Sequence, residues 1–183
     1  MTVIVALRQN DQLVIGGDRA ASDGANNLLR LASPKVWQKG PFLFGYAGTL
    51  EGRHLQYKFF PPPLKGDLEV FMQTEFLTAL DEFYDKWKIS REHAEASDGM
   101  TLIICVGEEI YEHSPDEMTM INYDADWLSI GAGSEYAYGS LHSTQNLSSP
   151  KVRVRKAVEA ACEFHPGCSL PLDVLSMKIK VYE

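Results

Sequence analysis

The run Val3-Ile4-Val5-Ala6-Leu7 is apolar at every position. Side chains alternate across a strand, so Val3, Val5 and Leu7 fall on one face and Ile4 and Ala6 on the other. A strand apolar on both faces has to be covered on both. This places it centrally in a sheet that lies between other layers.

A pairing strand follows at once. Gln12-Leu13-Val14-Ile15-Gly16-Gly17-Asp18 comes after the polar turn Gln9-Asn10-Asp11, and the two runs, 2–8 and 12–18, predict a hairpin. Residues 19–34, rich in Ala, Ser, Asp, Asn and Gly, predict a polar loop. A second hairpin is expected from 33–38 and 42–48 around Lys39-Gly40-Pro41, with Gly45 and Gly48 leaving backbone bare at its end. Thr49 is expected to cap a helix to about Phe60, stopped by Pro61-Pro62-Pro63. Asp67 opens a long helix with Leu68, Phe71, Met72, Phe76, Leu80, Phe83, Tyr84 and Trp87 at helical spacing, and these aromatics belong to a core.

Four short runs, 100–107, 109–113, 118–123 and 127–132, predict a second antiparallel sheet. Gly131-Ala132-Gly133-Ser134 then turns into a helix to about His142. Without the remainder of a phosphate-binding loop, this turn predicts close strand-to-helix packing. A helix from about Pro150 to Phe164, with Val154, Ala157, Val158 and Ala161 inward, precedes a last strand at 175–182. Two groups of strands with helices between and after them indicate an α+β layered domain.

Composition limits the function classes. The 183 residues, 45% hydrophobic, suffice for one domain spanning 1–183. A net charge of −8 argues against a nucleic-acid partner, and Lys151-Val152-Arg153-Val154-Arg155-Lys156 is expected to be a solvated helix start. The first apolar run is too short for a signal peptide and no stretch approaches the roughly 20 apolar residues of a membrane span, so a cytoplasmic protein without a membrane partner is expected. Cys105, Cys162 and Cys168 contain no CxxC pair, and the five histidines lack zinc-site spacing. Neither a disulfide nor a metal or other cofactor is expected.

The chemistry enters at Met1-Thr2. If Met1 is removed, Thr2 carries both a hydroxyl and its own free amine. A threonine hydroxyl needs an adjacent base, and an α-amine with a pKa of about 7.7–8.0 can serve near neutral pH. By residue type alone, Cys168 with His165 is a rival nucleophile and base.

Thr2-Val3-Ile4-Val5, Gly16-Gly17-Asp18-Arg19-Ala20-Ala21-Ser22, Lys35-Val36, Phe44-Gly45-Tyr46-Ala47-Gly48-Thr49 and Leu128-Ser129-Ile130-Gly131-Ala132-Gly133-Ser134-Glu135-Tyr136-Ala137 occur in this order. Together they resemble the proteasome β-subunits, and more closely the HslV peptidases, within the Ntn-hydrolase superfamily. The single residue ahead of the threonine is also like HslV. The resemblance implies a four-layer αββα sandwich of two antiparallel sheets flanked by helices. It implies an N-terminal threonine endopeptidase in which Thr2 attacks, Lys35 and Asp18 hold a charge pair beside it, the Gly48 amide faces the oxyanion and Ser22 contacts the bound peptide. Unfolded-protein substrate, a homo-oligomeric ring and an ATPase unfoldase partner come from the same source. The chain departs from the family at Ala132, where a serine is usual, and at His165 and Cys168, where an aspartate and a serine are usual. A non-catalytic assembly or binding role and an amidase acting on a small amide stand as alternatives.

Overall fold

The hairpin expected at the start of the chain closes through Asn10 (φ 52°) and Asp11 (φ 55°), two left-handed residues of a type that tolerates that conformation. In a computed structural model, which describes residues 1–22, 27–89, 99–116 and 119–182, it joins β1 (Ile4–Gln9) to β2 (Gln12–Asp18). The chain continues through β3 (Ala20–Ser22), β4 (Leu28–Arg30), β5 (Val36–Lys39), β6 (Phe42–Ala47) and α1 (Gly52–Lys58). Next come α2 (Leu68–Phe71), a π-helical stretch (Met72–Phe76) and α3 (Leu77–Trp87). Then follow β7 (Thr101–Val106), β8 (Glu109–His113), β9 (Ile121–Asn122), β10 (Trp127–Ile130), α4 (Ser134–Ser143), α5 (Pro150–Phe164) and β11 (Leu172–Lys178).

The first sheet has the order β10-β1-β2-β11 and the second β5-β6-β7-β8-β9, with every pairing antiparallel. Three apolar clusters define the layers. Ile4, Ala6, Leu13 and Ile15 meet Val36, Leu43, Ile103 and Cys105 between the sheets. Val3, Val5, Leu7 and Val14 pack outward on Ala137, Leu141, Val154, Ala157 and Val158 of α4 and α5. Phe42, Phe44, Tyr46, Leu102 and Ile104 pack on Leu55 of α1 and on Phe71, Phe76, Leu80 and Phe83 of the long helical segment. The result is the αββα stack, and the two faces of β1 point as its alternation requires.

Several elements differ from expectation. Strand β10 pairs with β1 in the first sheet, because Leu128 and Ile130 are needed to cover the core between the sheets; β7 to β9 extend the β5–β6 hairpin instead. Within 19–34, where a loop was expected, β3 and β4 form a small antiparallel sheet, and residues 23–26 of that stretch lie outside the described residues. Helix α1 begins at Gly52 with Glu51 at its cap, and Thr49 hydrogen-bonds the Glu51 carboxylate at 3.3 Å. Asp67 caps α2 through Val70 N–H at 2.9 Å as its position predicts. In the run 118–123 the strand is confined to Ile121–Asn122, and residue 118 lies outside the described residues. The last strand starts three residues before 175, at Leu172, because β11 takes its register from β2.

Gly45 shows how closely the sheets approach. A Cβ there would lie 2.6 Å from Ile4 Cγ2 and 3.0 Å from Ile15 Cδ1. Gly45→Val should therefore overpack this interface and cost about 1–3 kcal/mol. At roughly 2–4 °C per kcal/mol for a chain of this size, calorimetry should find a melting temperature lower by several degrees; an unchanged value would contradict the packing described.

Candidate active site

The hairpin and the second sheet converge at the start of β1. Thr2 precedes that strand, Asp18 ends β2, and Lys35 lies immediately before β5. All three are buried, at 2%, 0% and 1% exposure. The Lys35 ammonium donates to Thr2 Oγ1 and, at 3.2 Å, to Asp18 Oδ1. The Thr2 hydroxyl in turn donates to the Met1 carbonyl. Sequence reasoning placed these residues together by resemblance, and the hairpin register accounts for it: Asp18 N–H meets Val3 O at 3.3 Å, which sets the Asp18 side chain beside Thr2.

The Asp18 carboxylate is held from both sides. Oδ1 accepts from Val3 N–H at 3.1 Å as well as from Lys35, and Oδ2 accepts from Ala20 N–H at 3.0 Å and Ser169 N–H at 3.1 Å. Four donors offset the desolvation of a carboxylate that has no contact with water. Burial lowers the Lys35 pKa from its usual range, and the Asp18 charge and hydrogen bond oppose that shift. The outcome is an ammonium that gives up a proton more readily than a surface lysine while remaining paired.

Two glycines shape the surroundings. Gly131 (φ 90°) follows β10 and closes on Thr2: a Cβ there would sit 2.4 Å from Thr2 O and 3.2 Å from the Ala47 Cβ. The neighbouring Gly133 N–H donates to Thr2 O at 3.2 Å. Thus the turn holds Thr2 through its backbone, and Ala132 within it is exposed. Gly48 (φ 89°) directly follows Ala47, and a Cβ there would overlap Gly99 O at 1.9 Å. Both the dihedral angle and the space admit only glycine. Ser22 ends β3, opposite Leu28, four residues beyond Asp18.

Cys168 and His165 are neighbours but not a poised pair. The Sγ to Nδ1 distance is 3.9 Å, and that nitrogen already accepts Gly167 N–H at 3.0 Å. The thiol is buried; desolvation, with the Asp18 charge, pushes its pKa up to about 12. It packs against Gly133 instead. The residue that sequence reasoning missed is Ser169. Its N–H fixes Asp18, while its buried hydroxyl has no hydrogen-bond partner among the described residues. The serine following Cys168 was the available signal, one position later than the one compared.

No group of three or more metal-binding side chains occurs among the described residues, and no described helix is long and apolar enough to cross a membrane. Two surface grooves, of about 630 and 320 Å³, share Glu69, Glu109 and Asn122 and contain none of the site residues.

No family model matches the sequence, and no curated protein matches it. Solved structures match in fold. BPH of Thiobacillus denitrificans in complex with epoxomicin is 19% identical, with a TM-score of 0.78 over 98% of this chain and 100% of that one. HslV from Trypanosoma brucei is 21% identical, with a TM-score of 0.69 over 97% and 99%. Anbu from Yersinia bercovieri is 14% identical, with a TM-score of 0.66 over 97% and 82%. The chain therefore has the proteasome-like Ntn-hydrolase fold.

The buried pair is testable without reference to activity. Asp18→Asn or Lys35→Met alone leaves an uncompensated buried group and should cost about 3–5 kcal/mol. The double variant should cost less than the sum of the two, by about 0.5–3 kcal/mol. Urea unfolding of the four proteins measures this coupling, and strict additivity would show that the two side chains do not interact.

Proposed function

We propose that this chain is an N-terminal threonine peptidase, with Thr2 as nucleophile once Met1 has been removed. The observation that carries the reading is the Lys35 ammonium, buried and donating both to Thr2 Oγ1 and to Asp18. A cation at that position favours the alkoxide character needed for attack.

In the proposed reaction Thr2 Oγ1 bonds to the scissile carbonyl carbon and its proton passes to the free α-amine. The tetrahedral intermediate collapses by breaking the C–N bond, and the protonated amine returns the proton to the leaving peptide amine. Water then hydrolyses the threonyl ester, which restores the hydroxyl. Gly48 N–H is assigned to the oxyanion, a type of donor whose loss costs about 2.7–4 kcal/mol. Its fixed left-handed backbone supports that assignment, since a preorganised amide needs no rearrangement. The unpartnered Ser169 hydroxyl is assigned to the released amine, a role that Ala132 lacks the atoms to fill. Strand β3 pairs with β4 on one side. Its other edge is where a substrate strand would add, with Ser22 in contact.

Unfolded-protein substrate, a homo-oligomeric ring and an ATPase partner complete the reading and rest on the resemblance. The alternative of an assembly or binding role is favoured by Ala132, His165 and Cys168, where the usual supporting groups are replaced.

Intact-mass analysis of protein from its native host should find Met1 absent, and Thr2→Ala should lower fluorogenic-peptide turnover by roughly 10⁶-fold, to background. Epoxomicin, the ligand of the Thiobacillus neighbour, should add its mass to the wild type and not to Thr2→Ala. Retained Met1 together with Thr2-independent turnover would exclude the mechanism. The pH profile supplies a second test. Activity should rise as the amine loses its proton, near about 7.7–8.0. It should fall again as Lys35 loses its charge, and because burial lowers that pKa, the alkaline limb should lie below the usual 10.5 of a lysine. A profile flat from pH 8 to beyond 10.5 would remove Lys35 from the mechanism.

A further inference from the structure

Two of the groups that meet Asp18 arrive on stretches without helix or strand. Residues 31–35 deliver the Lys35 ammonium and residues 165–171 deliver Ser169 N–H. The residue that follows Asp18 grips the chain beside both. Arg19 Nε and Nη2 each donate at 2.7 Å to one oxygen of Asp173, and Nη1 donates to Ala32 O at 2.6 Å. Arg19 O also accepts Leu31 N–H at 2.8 Å, so the approach to Lys35 is held by both the backbone and the side chain of one residue. Asp173 is the second residue of β11, paired with Gly17 and four residues beyond Ser169.

A planar guanidinium suits this task. Two of its N–H groups meet a carboxylate in parallel while a third nitrogen reaches a carbonyl, a pattern that an ammonium cannot reproduce. The two side chains of the ion pair are 22% and 21% exposed, and a pair so open to water adds little stability. What it fixes is position. Lys35 lies three residues beyond Ala32, and its ammonium must stay within hydrogen-bond reach of Asp18 Oδ1, now 3.2 Å away.

We propose that Arg19 is a positioning residue for the Thr2 site, holding residues 31–32 and the start of β11 in the relation that brings Lys35 and Ser169 N–H to opposite oxygens of Asp18. This rests on the peptidase reading and adds a residue to it. The guanidinium bonds go to Asp173 and Ala32, so Arg19 acts through the chain and not by contact with the reacting atoms. Burial lowers the Lys35 pKa, the Asp18 charge and hydrogen bond oppose that shift, and the Cys168 and Cys162 thiols act on it in the same direction as Asp18 with smaller effect. Slackening Lys35 from Asp18 removes the main opposing effect while the packed sheets keep the lysine buried, so it then loses its proton at lower pH.

The test measures kcat, KM and the pH profile of peptide turnover for the wild type, Arg19→Ala, Arg19→Lys and Asp173→Asn. Arg19→Ala should lower kcat by roughly 10- to 100-fold with KM little changed, and its alkaline limb should move to lower pH. Arg19→Lys keeps one link at a time and Asp173→Asn keeps the link to Ala32, so both should fall between Arg19→Ala and the wild type. An alkaline limb that stays in place in Arg19→Ala, or a loss confined to KM, would overturn the proposal and leave Arg19 a brace between β2 and β11. Should Arg19→Ala not fold, the two milder variants carry the same test, and unshifted limbs in both would overturn it. If none of the proteins turns over peptide, the peptidase reading fails on its own, and titration of the Lys35 side chain followed by NMR decides the positioning role. A Lys35 pKa lower in the variants than in the wild type would uphold it, and superimposable titrations would overturn it.

Discussion

Burial of the Asp18–Lys35 pair is the constraint on which the site depends. Removing both charges from water is expensive, and the pair is tolerated because its geometry supplies other donors. Val3, Ala20 and Ser169 each contribute a backbone N–H to Asp18. These donors come from the residue just before β1, from β3 and from the segment between α5 and β11, so the carboxylate ties three separate parts of the chain together. Lys35, immediately before β5 of the second sheet, adds a fourth. An arrangement with this many inputs cannot form until both sheets have packed, so the local chemistry and the global fold are one requirement.

The four-layer stack supplies that requirement. Residues from two sheets can converge on a point if the sheets meet face to face and their strand ends coincide. The cluster of Ile4, Ile15, Val36 and Leu43 brings the sheets together, and Gly45 permits the approach. The turn after β10 then presses Gly131 against Thr2. That β10 belongs to the first sheet matters here, because a strand on the far side of the second sheet would carry this turn away from Thr2.

Much of this was legible from particular residues. The two apolar faces of Val3 to Leu7 required a strand between layers, and Asp67 and Pro150 mark helix starts that the structure retains. Sheet membership was not legible for β10. Its alternation says that one face is buried and leaves its neighbour unspecified, which is a long-range property. The short strands β3 and β4 were hidden by a loop-like composition, and they persist through pairing with each other and through Leu31 N–H to Arg19 O at 2.8 Å. At the site, Asp18 and Lys35 were legible through resemblance alone, since by pattern they are a strand-end acid and an unremarkable lysine. Ser169 was not, because a one-residue offset in an irregular segment leaves no periodic trace.

The same burial acts oppositely on the different ionisable groups around Thr2. It lowers the Lys35 pKa and raises those of Cys162 and Cys168 to about 12, in every case toward the neutral form. A thiol nucleophile must ionise, so this environment disfavours it. A hydroxyl that passes its proton to a neighbouring amine during attack never needs a stable anion, and the environment that silences Cys168 leaves that route open. On the proposed reading, a lysine held charged by one carboxylate and four layers that exclude water together determine which nucleophile can operate. That conclusion follows from desolvation and pairing, and it would hold for any substrate that brings a carbonyl to Thr2.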